Sequence, residues 1–317
     1  MSVSRLPESS QSKLESARQI GLGNAGLYLA MLKIVITGAS RGIGSSTALE
    51  LARVGHQVVA TMRDPANSPE LVEQAAKENL SLQIETMDVD SDGSVKQAFD
   101  RILTQGPVDV LVNNAGVERM GAIEETPLAD FRTCMETNYF GAIRCIQSVI
   151  RPMRERGRGA IVNVASVAGK ISMSPMAPYS ASKFALEALS EALAQELRAF
   201  GVRVAIVEPG IIDTRMARNI EGIKSSNLYP QVRRCAALFE ATIAAGAGQP
   251  QVVAQKIREI VESGTWQFRH PVGPDAEPFL GWRGSMNDEK WVQWGGQSDS
   301  DWLKTVKVDF GMDLQLD

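Results

Sequence analysis

"KIVITGASRGIG", residues 33–44, runs from a β-branched apolar stretch into a turn with glycines at 38, 42 and 44. The stretch has the make-up of a buried strand. Glycine serves where a chain turns tightly and where backbone must approach a pyrophosphate closely. A helix opened by Gly42 and Gly44 would offer free N–H groups and the positive end of a dipole to an anion. A ligand-free glycine turn can have the same letters, but the strand before and the helix after supply the context a dinucleotide turn needs.

Working outward, strand-like runs recur to about residue 208: "KIVIT", "QVVAT", "LQIET", "VDVLV", "AIVNVAS" and "VRVAIV". Helix-like stretches lie between them at 44–53, 92–104, 127–153 and 179–200. Short β-branched runs separated by helices mark a parallel sheet covered on both faces. The expected fold is therefore α/β, a Rossmann-type doubly wound parallel sheet in one domain with a C-terminal extension. Its ligand crevice should lie at the carboxyl ends of the strands. The expected boundaries are a disordered leader at 1–30, the Rossmann-type domain at 31–270 and the extension at 271–317. The leader's "IGLGNAGLYLA" is too short and glycine-rich to span a bilayer, and Met31 is a candidate natural start.

Composition excludes several classes. The 317 residues are 44% apolar and 22% charged, values that suit a soluble globular protein with a substantial core. A net charge of −4 leaves no basic footprint, so neither nucleic acid nor a membrane surface is an expected partner. Cys134, Cys145 and Cys235 are odd in number and form no CxxC pair, as in a cytoplasmic protein with reduced, buried thiols. The only histidines are His56 and His270, and no HExxH or Cys/His cluster occurs, so no metal is expected.

The TGxxxGxG spacing of 37–44 begins an ordered series: "NNAG" at 113–116, Asn138 in "TNYFG", Ser166 in "NVASVAG", "YSASK" at 179–183 and "PGIIDT" at 209–214. Over residues 32–270 the chain thereby resembles the short-chain dehydrogenase/reductase family of the classical type. "VVATMRD" and "YSASKFALEALSEAL" look like its steroid and retinol dehydrogenase branch.

The chemistry of "YSASK" can be read from its residues. Moving hydride to or from a carbon requires a proton to move on the attached oxygen. A phenol with its ordinary pKa of about 10 is a poor base near neutrality. Lys183 stands one helical turn beyond Tyr179, and its ammonium would favour the phenolate, making Tyr179 a general acid/base. Leu186, Leu189, Leu193 and Leu197 alone suffice for the helix's packing face. From the resemblance, Ser166 would hydrogen-bond the substrate oxygen, Asn138 would hold a water in a proton relay, and Lys183 would also hold the nicotinamide ribose.

The resemblance puts Gly38, Ser40, Arg41, Gly42, Ile43 and Gly44 around the pyrophosphate. It sets Asp88 and Val89 by the adenine, Asn114, Ala115 and Gly116 along the cofactor, and Pro209, Gly210 and Thr214 by the carboxamide. An NAD site carries an acidic residue after the second strand. Here that position is Met62, followed by Arg63, so Arg41 and Arg63 suit a 2′-phosphate and NADP is expected over NAD. Asp64, before Pro65, reads as a turn former.

The expected pocket is apolar: Val117, Val167, Ile171, Met173, Met176, Ile211, Ile212, Met216 and Leu238, under a mobile lid at about 211–245. Glu118 and Arg119 are expected in solvent. All five tryptophans fall between 266 and 302, where "TWQFRH" reads as a last strand and helices are expected near 286–294 and 299–308. That tail should pack on the core or on a neighbouring subunit. The 179–200 helix resembles the family's subunit contact, implying a homodimer or homotetramer. The expected activity is NADP(H)-dependent interconversion of a carbonyl and an alcohol on a small molecule, chiefly reduction of an apolar ketone or aldehyde. The alternatives are an NAD-dependent alcohol or steroid dehydrogenase, or a non-catalytic NADP-binding sensor.

Overall fold

Strand β1 (Lys33–Ile36) is buried at every residue, as a central parallel strand must be. In the computed structural model, which describes residues 31–219 and 226–316, it is the third strand across a seven-stranded sheet. The expected leader at 1–30 lies outside the described residues. The other strands are β2 (Gln57–Met62), β3 (Leu82–Thr86), β4 (Val110–Asn113), β5 (Gly159–Val164), β6 (Val202–Pro209) and β7 (Arg269–Val272). Their order is β3-β2-β1-β4-β5-β6-β7, and every neighbouring pair is parallel. The winding therefore reverses between β1 and β4, where a doubly wound sheet opens its crevice.

Helices cover both faces. They are α1 (Gly42–Arg53), α2 (Pro69–Lys77), α3 (Asp92–Thr104), α4 (Leu128–Met135), α5 (Gly141–Arg156), α6 (Ala177–Arg198), α7 (Arg215–Arg218), α8 (Gln231–Ala244) and α9 (Pro250–Ser263). Alternate residues of β1 feed opposite layers, as the pleat requires. Ile34 and Ile36 pack with Leu51 of α1 and Val253 and Ile257 of α9. Val35 faces Phe99 of α3, Val149 of α5 and Leu193 of α6. Each such side chain contributes about 1.5–3 kcal/mol on leaving water.

Three expectations need correction. The stretch 127–153 is not one helix, because a π turn at Glu136–Phe140 separates α4 from α5. Only the last two residues of "TWQFRH" enter β7. That strand runs two residues past 270, to Val272. The tail then forms three helices where two were expected: α10 (Ala276–Gly284), α11 (Asp288–Gly295) and α12 (Asp299–Phe310).

Those three helices carry a core of their own. Trp294, Trp302 and Val306 are buried, with Trp282, Trp291, Leu303 and Phe310 around them. Trp291 and Trp294 stack 5.2 Å apart, and Trp282 stands edge-on to Trp294 at 5.0 Å. Buried Arg234 of α8 ties this cap to the main domain through Asp299 at 2.7 Å and the Gln297 carbonyl at 2.8 Å.

Candidate active site

A cleft of about 1340 Å³ opens at the carboxyl ends of the strands. Its nucleotide end is shaped by backbone. Gly38 has φ +65°, a region that favours glycine, and a Cβ there would come within 2.7 Å of the Ala115 Cα. At Gly44 a Cβ would meet the Gly38 carbonyl at 2.4 Å, so α1 seats on the turn only through glycine. Thr37 and Asn114 staple the first and fourth strand ends together. The Thr37 hydroxyl accepts from the Asn114 and Ala115 N–H groups at 3.0 and 2.9 Å, and Asn114 Nδ2 donates to the Thr37 carbonyl at 2.9 Å.

Gly38, Ser40, Arg41, Gly42, Ile43, Arg63, Asp88, Val89, Asn114, Ala115, Gly116, Pro209, Gly210 and Thr214 all line this cleft, as do Ser166, Tyr179 and Lys183. Gly44 and Asn138 stand behind the lining. At the end of β2 the acidic position holds buried Met62, whose sulfur receives the Ser68 hydroxyl at 3.0 Å. The Asp64 carboxylate accepts from Ala66 N at 3.0 Å and caps a turn of 3₁₀ helix. Arg41 and Arg63 are exposed and line the same cleft.

Ser166 follows β5 and caps a 3₁₀ turn, accepting from Ala168 N at 3.1 Å and donating to the Pro209 carbonyl at 3.4 Å. Tyr179 and Lys183 occupy the first turns of α6, which Pro178 opens. Both are buried. The Lys183 ammonium donates to the Val164 carbonyl at 2.9 Å and lies 5.6 Å from the Tyr179 ring centroid. Asn138 sits in the π turn with both amide donors used: Nδ2 donates to Val117 O at 2.9 Å and Ser182 Oγ at 2.8 Å, and Oδ1 accepts from Val117 N at 2.8 Å.

Burial dominates the electrostatics. It pushes the Tyr179 phenol above its ordinary range, the Glu118 carboxylate adds to this, and the Ser166 hydroxyl opposes it. Burial brings Lys183 down to about 8, against the pull of Glu118. Glu118 itself is held up to about 7 by burial, with Lys183 opposing.

Glu118 and Arg119, expected in solvent, both line the cleft. The nine expected apolar lining residues are all present, and the tail adds Phe279, Trp282, Trp291, Trp294 and Phe310. The sequence favours packing for the tail tryptophans, with a role in shaping substrate choice as the alternative. The run "WVQWGGQSDSDW" shows that they cluster but not which surface they face. Asp275 was missed as well. Its carboxylate accepts from Ile211 N at 2.7 Å and holds the "PGI" loop where a Cβ on Gly210 would strike it. No letter pattern marks that contact, because 64 residues separate the partners.

The expected lid is stitched down where it is described. Thr214 caps α7, and α8 packs Cys235 and Phe239 inward. Ser226 donates to Glu125 at 3.1 Å, and the Tyr229 hydroxyl donates to Glu124. Residues 220–225 lie outside the described residues. All three cysteines are buried and free, and no metal-holding cluster of His, Cys, Asp or Glu occurs among the described residues. Nor is any described helix long and apolar enough to cross a membrane.

Residues 33–223 match the family profile described as short chain dehydrogenase. The chain belongs to that family. Among curated proteins, a 3-ketodihydrosphingosine reductase of Bacteroides thetaiotaomicron is 36% identical over 76% of this chain and 87% of its own length. Human retinol dehydrogenase 8 is 43% identical over 57% of this chain and 59% of its own length. Among solved structures, a short-chain dehydrogenase from Streptomyces avermitilis superposes with TM-score 0.71 at 30% identity, covering 88% of this chain and 99% of that one. A gluconate 5-dehydrogenase from Burkholderia cenocepacia, solved with NADP and tartrate, gives 0.66 at 25% identity, covering 78% and 95%. This short-chain dehydrogenase is thus an oxidoreductase of carbonyl and alcohol groups, built on the expected Rossmann-type sheet.

Proposed function

We propose that this short-chain dehydrogenase reduces ketones or aldehydes with NADPH, using Tyr179 as the general acid. The observation that carries the reading is that Ser166, Tyr179 and Lys183 meet in the cleft that the glycine turn opens. Burial raises the phenol above its ordinary range, which favours the protonated form that donates to a new alcohol. A bound nicotinamide would supply the hydride. Ser166 holds the carbonyl oxygen, and Tyr179 delivers its proton to that oxygen as the new alcohol forms. Lys183, brought to about 8, replaces the proton and holds ribose hydroxyls.

NADP rather than NAD is supported by Arg41 in the glycine turn and Arg63 just after β2, both lining the cleft, and by buried Met62 in place of the carboxylate that a 2′-hydroxyl needs. The neighbour solved with NADP and the relative named a reductase agree with this reading. The residues present fit the group, since Gly38 and Gly44 form a cradle that any Cβ would fill. The free buried thiols suit a reducing, cytoplasmic compartment. Phe140 and Phe184, 43% and 42% exposed, mark faces suited to a homodimer or homotetramer.

The experiment measures consumption of NADPH against NADH over a panel of ketones and aldehydes, with Tyr179→Phe beside the wild type. Turnover with NADPH that vanishes in the variant supports the proposal. Preference for NADH would reinstate the NAD-dependent dehydrogenase, and tight NADPH binding without turnover would leave a sensor.

A further inference from the structure

The peptide between Pro209 and Gly210 touches the reacting groups from behind. Its carbonyl accepts from the Ser166 hydroxyl at 3.4 Å, and its N–H donates to the Val272 carbonyl of β7 at 3.0 Å. At 3.4 Å the bond from Ser166 is longer than an ordinary O–H···O bond. It aims the hydroxyl without holding its proton tightly, so a substrate carbonyl can take the bond over. A small shift of this peptide therefore decides whether Ser166 is aimed at all.

Asp275 is placed to prevent that shift. After β7 the chain turns back at Gly273, whose φ of +106° favours glycine, and the turn brings the Asp275 carboxylate against the loop. One carboxylate oxygen accepts from Ile211 N at 2.7 Å. The other is buried without a hydrogen-bond partner among the described residues and packs on Gly210, where a Cβ would stand 2.2 Å from it. The carboxylate thus holds Ile211 and props Gly210, while Pro209, Gly210 and Ile211 line the cleft in front of it. Asp275 also immediately precedes α10, which carries Phe279 and Trp282 to the same cleft.

We propose that Asp275 is a positioning residue for the reduction, fixing the Pro209–Ile211 loop so that the Ser166 hydroxyl meets the substrate carbonyl oxygen. Ser166 holds that oxygen in the function proposed above, on which this inference rests. No proton or electron passes through Asp275, so its whole effect is carried by Ser166.

The test is a double-mutant cycle on the full chain. It follows NADPH consumption over the panel of ketones and aldehydes, 2-octanone first, and NADP reduction with the matching alcohols. Asp275→Leu keeps the bulk and removes the acceptor. It should lower kcat by roughly 10–100-fold, the cost of a reacting group misplaced by up to about 1 Å, and leave KM for the ketone nearly unchanged. In a Ser166→Ala background the same substitution should change the residual kcat by less than about twofold, because the group it positions is gone. Asp275→Asn retains an acceptor for Ile211 N and should recover most of the lost kcat. An undiminished loss in the Ser166→Ala background overturns the inference, since a structural role is felt with or without Ser166. So does an Asp275→Leu enzyme with wild-type kcat, one altered in KM alone, or an Asp275→Asn enzyme as impaired as Asp275→Leu. Asp275→Ala carries the cycle if Asp275→Leu fails to fold, and failure of both assigns Asp275 to stability instead. If Ser166→Ala has no measurable rate, recovery by Asp275→Asn and the split between kcat and KM decide. Alcohol oxidation that shows the coupling, without ketone reduction, upholds the role of Asp275 and removes the reductase reading. Reduction without the coupling does the reverse, and a wild type inactive in both directions removes both.

Discussion

The two ends of the cleft are made of different material. The nucleotide end is backbone: a left-handed Gly38, a Gly44 that admits no Cβ, and a Thr37–Asn114 staple between two strand ends. The substrate end is side chains from distant segments, with Phe279, Trp282, Trp291 and Phe310 of the tail meeting Met173 and Met176 of the loop before α6. Backbone sites restrict which residue types can stand at fixed spacings. A side-chain wall needs only bulk, so its members change without a letter pattern.

If the ends are as separate as they look, the largest perturbation should stay local. Trp302 is 1% exposed and sits at the centre of the tail core. Trp302→Ala should destabilise that core by about 3–5 kcal/mol through lost burial and the cavity left behind. Tryptophan fluorescence on heating should then show an early transition, while NADPH affinity at low temperature stays within about twofold. A matching loss of NADPH binding would show that the cap and the nucleotide end stand or fall together.

Tyr179→Phe divides the same cleft by chemistry. Removing the hydroxyl should lower kcat by roughly a thousandfold, within the usual range for a general acid, and leave the NADPH dissociation constant nearly unchanged. At the other end, changing Arg41 and Arg63 to alanine together should weaken NADPH by about 10–100-fold and leave NADH untouched, as loss of charge-assisted bonds to a 2′-phosphate would. An equal loss for both cofactors would mean that the guanidiniums serve the pyrophosphate.

How far each end was legible follows from this contrast. The parallel sheet, the glycine turn and the order of Asn138, Ser166, Tyr179 and Lys183 stood in the sequence, because strand periodicity and fixed spacings encode them. The π turn did not, since the letters of 127–153 suit an unbroken helix and the displaced ladder arises from seating Asn138 against Val117. Glu118 reads as solvent-facing because a charge next to Arg119 normally is. In the fold it lines the cleft instead, while Arg119 turns to Asp130. Asp275 was illegible for a plainer reason, being a long-range contact between a tail residue and a loop amide.

The smallest expected effect is the most informative about the aromatic wall. Trp282 lines the cleft, stands edge-on to Trp291, Trp294 and Phe310, and donates from its indole nitrogen to Asp309 at 3.1 Å. It is only partly buried, so Trp282→Leu keeps an apolar group there and should cost the fold little. Loss of one aromatic face should raise KM by about threefold to tenfold for a bulky aryl ketone, corresponding to the 0.5–1.5 kcal/mol of an aromatic pair. For acetone, too small to reach the wall from Tyr179, neither KM nor kcat should move. A wall that only packs against itself would leave both substrates unchanged, and the tail would then be a stabilising cap rather than half of the pocket.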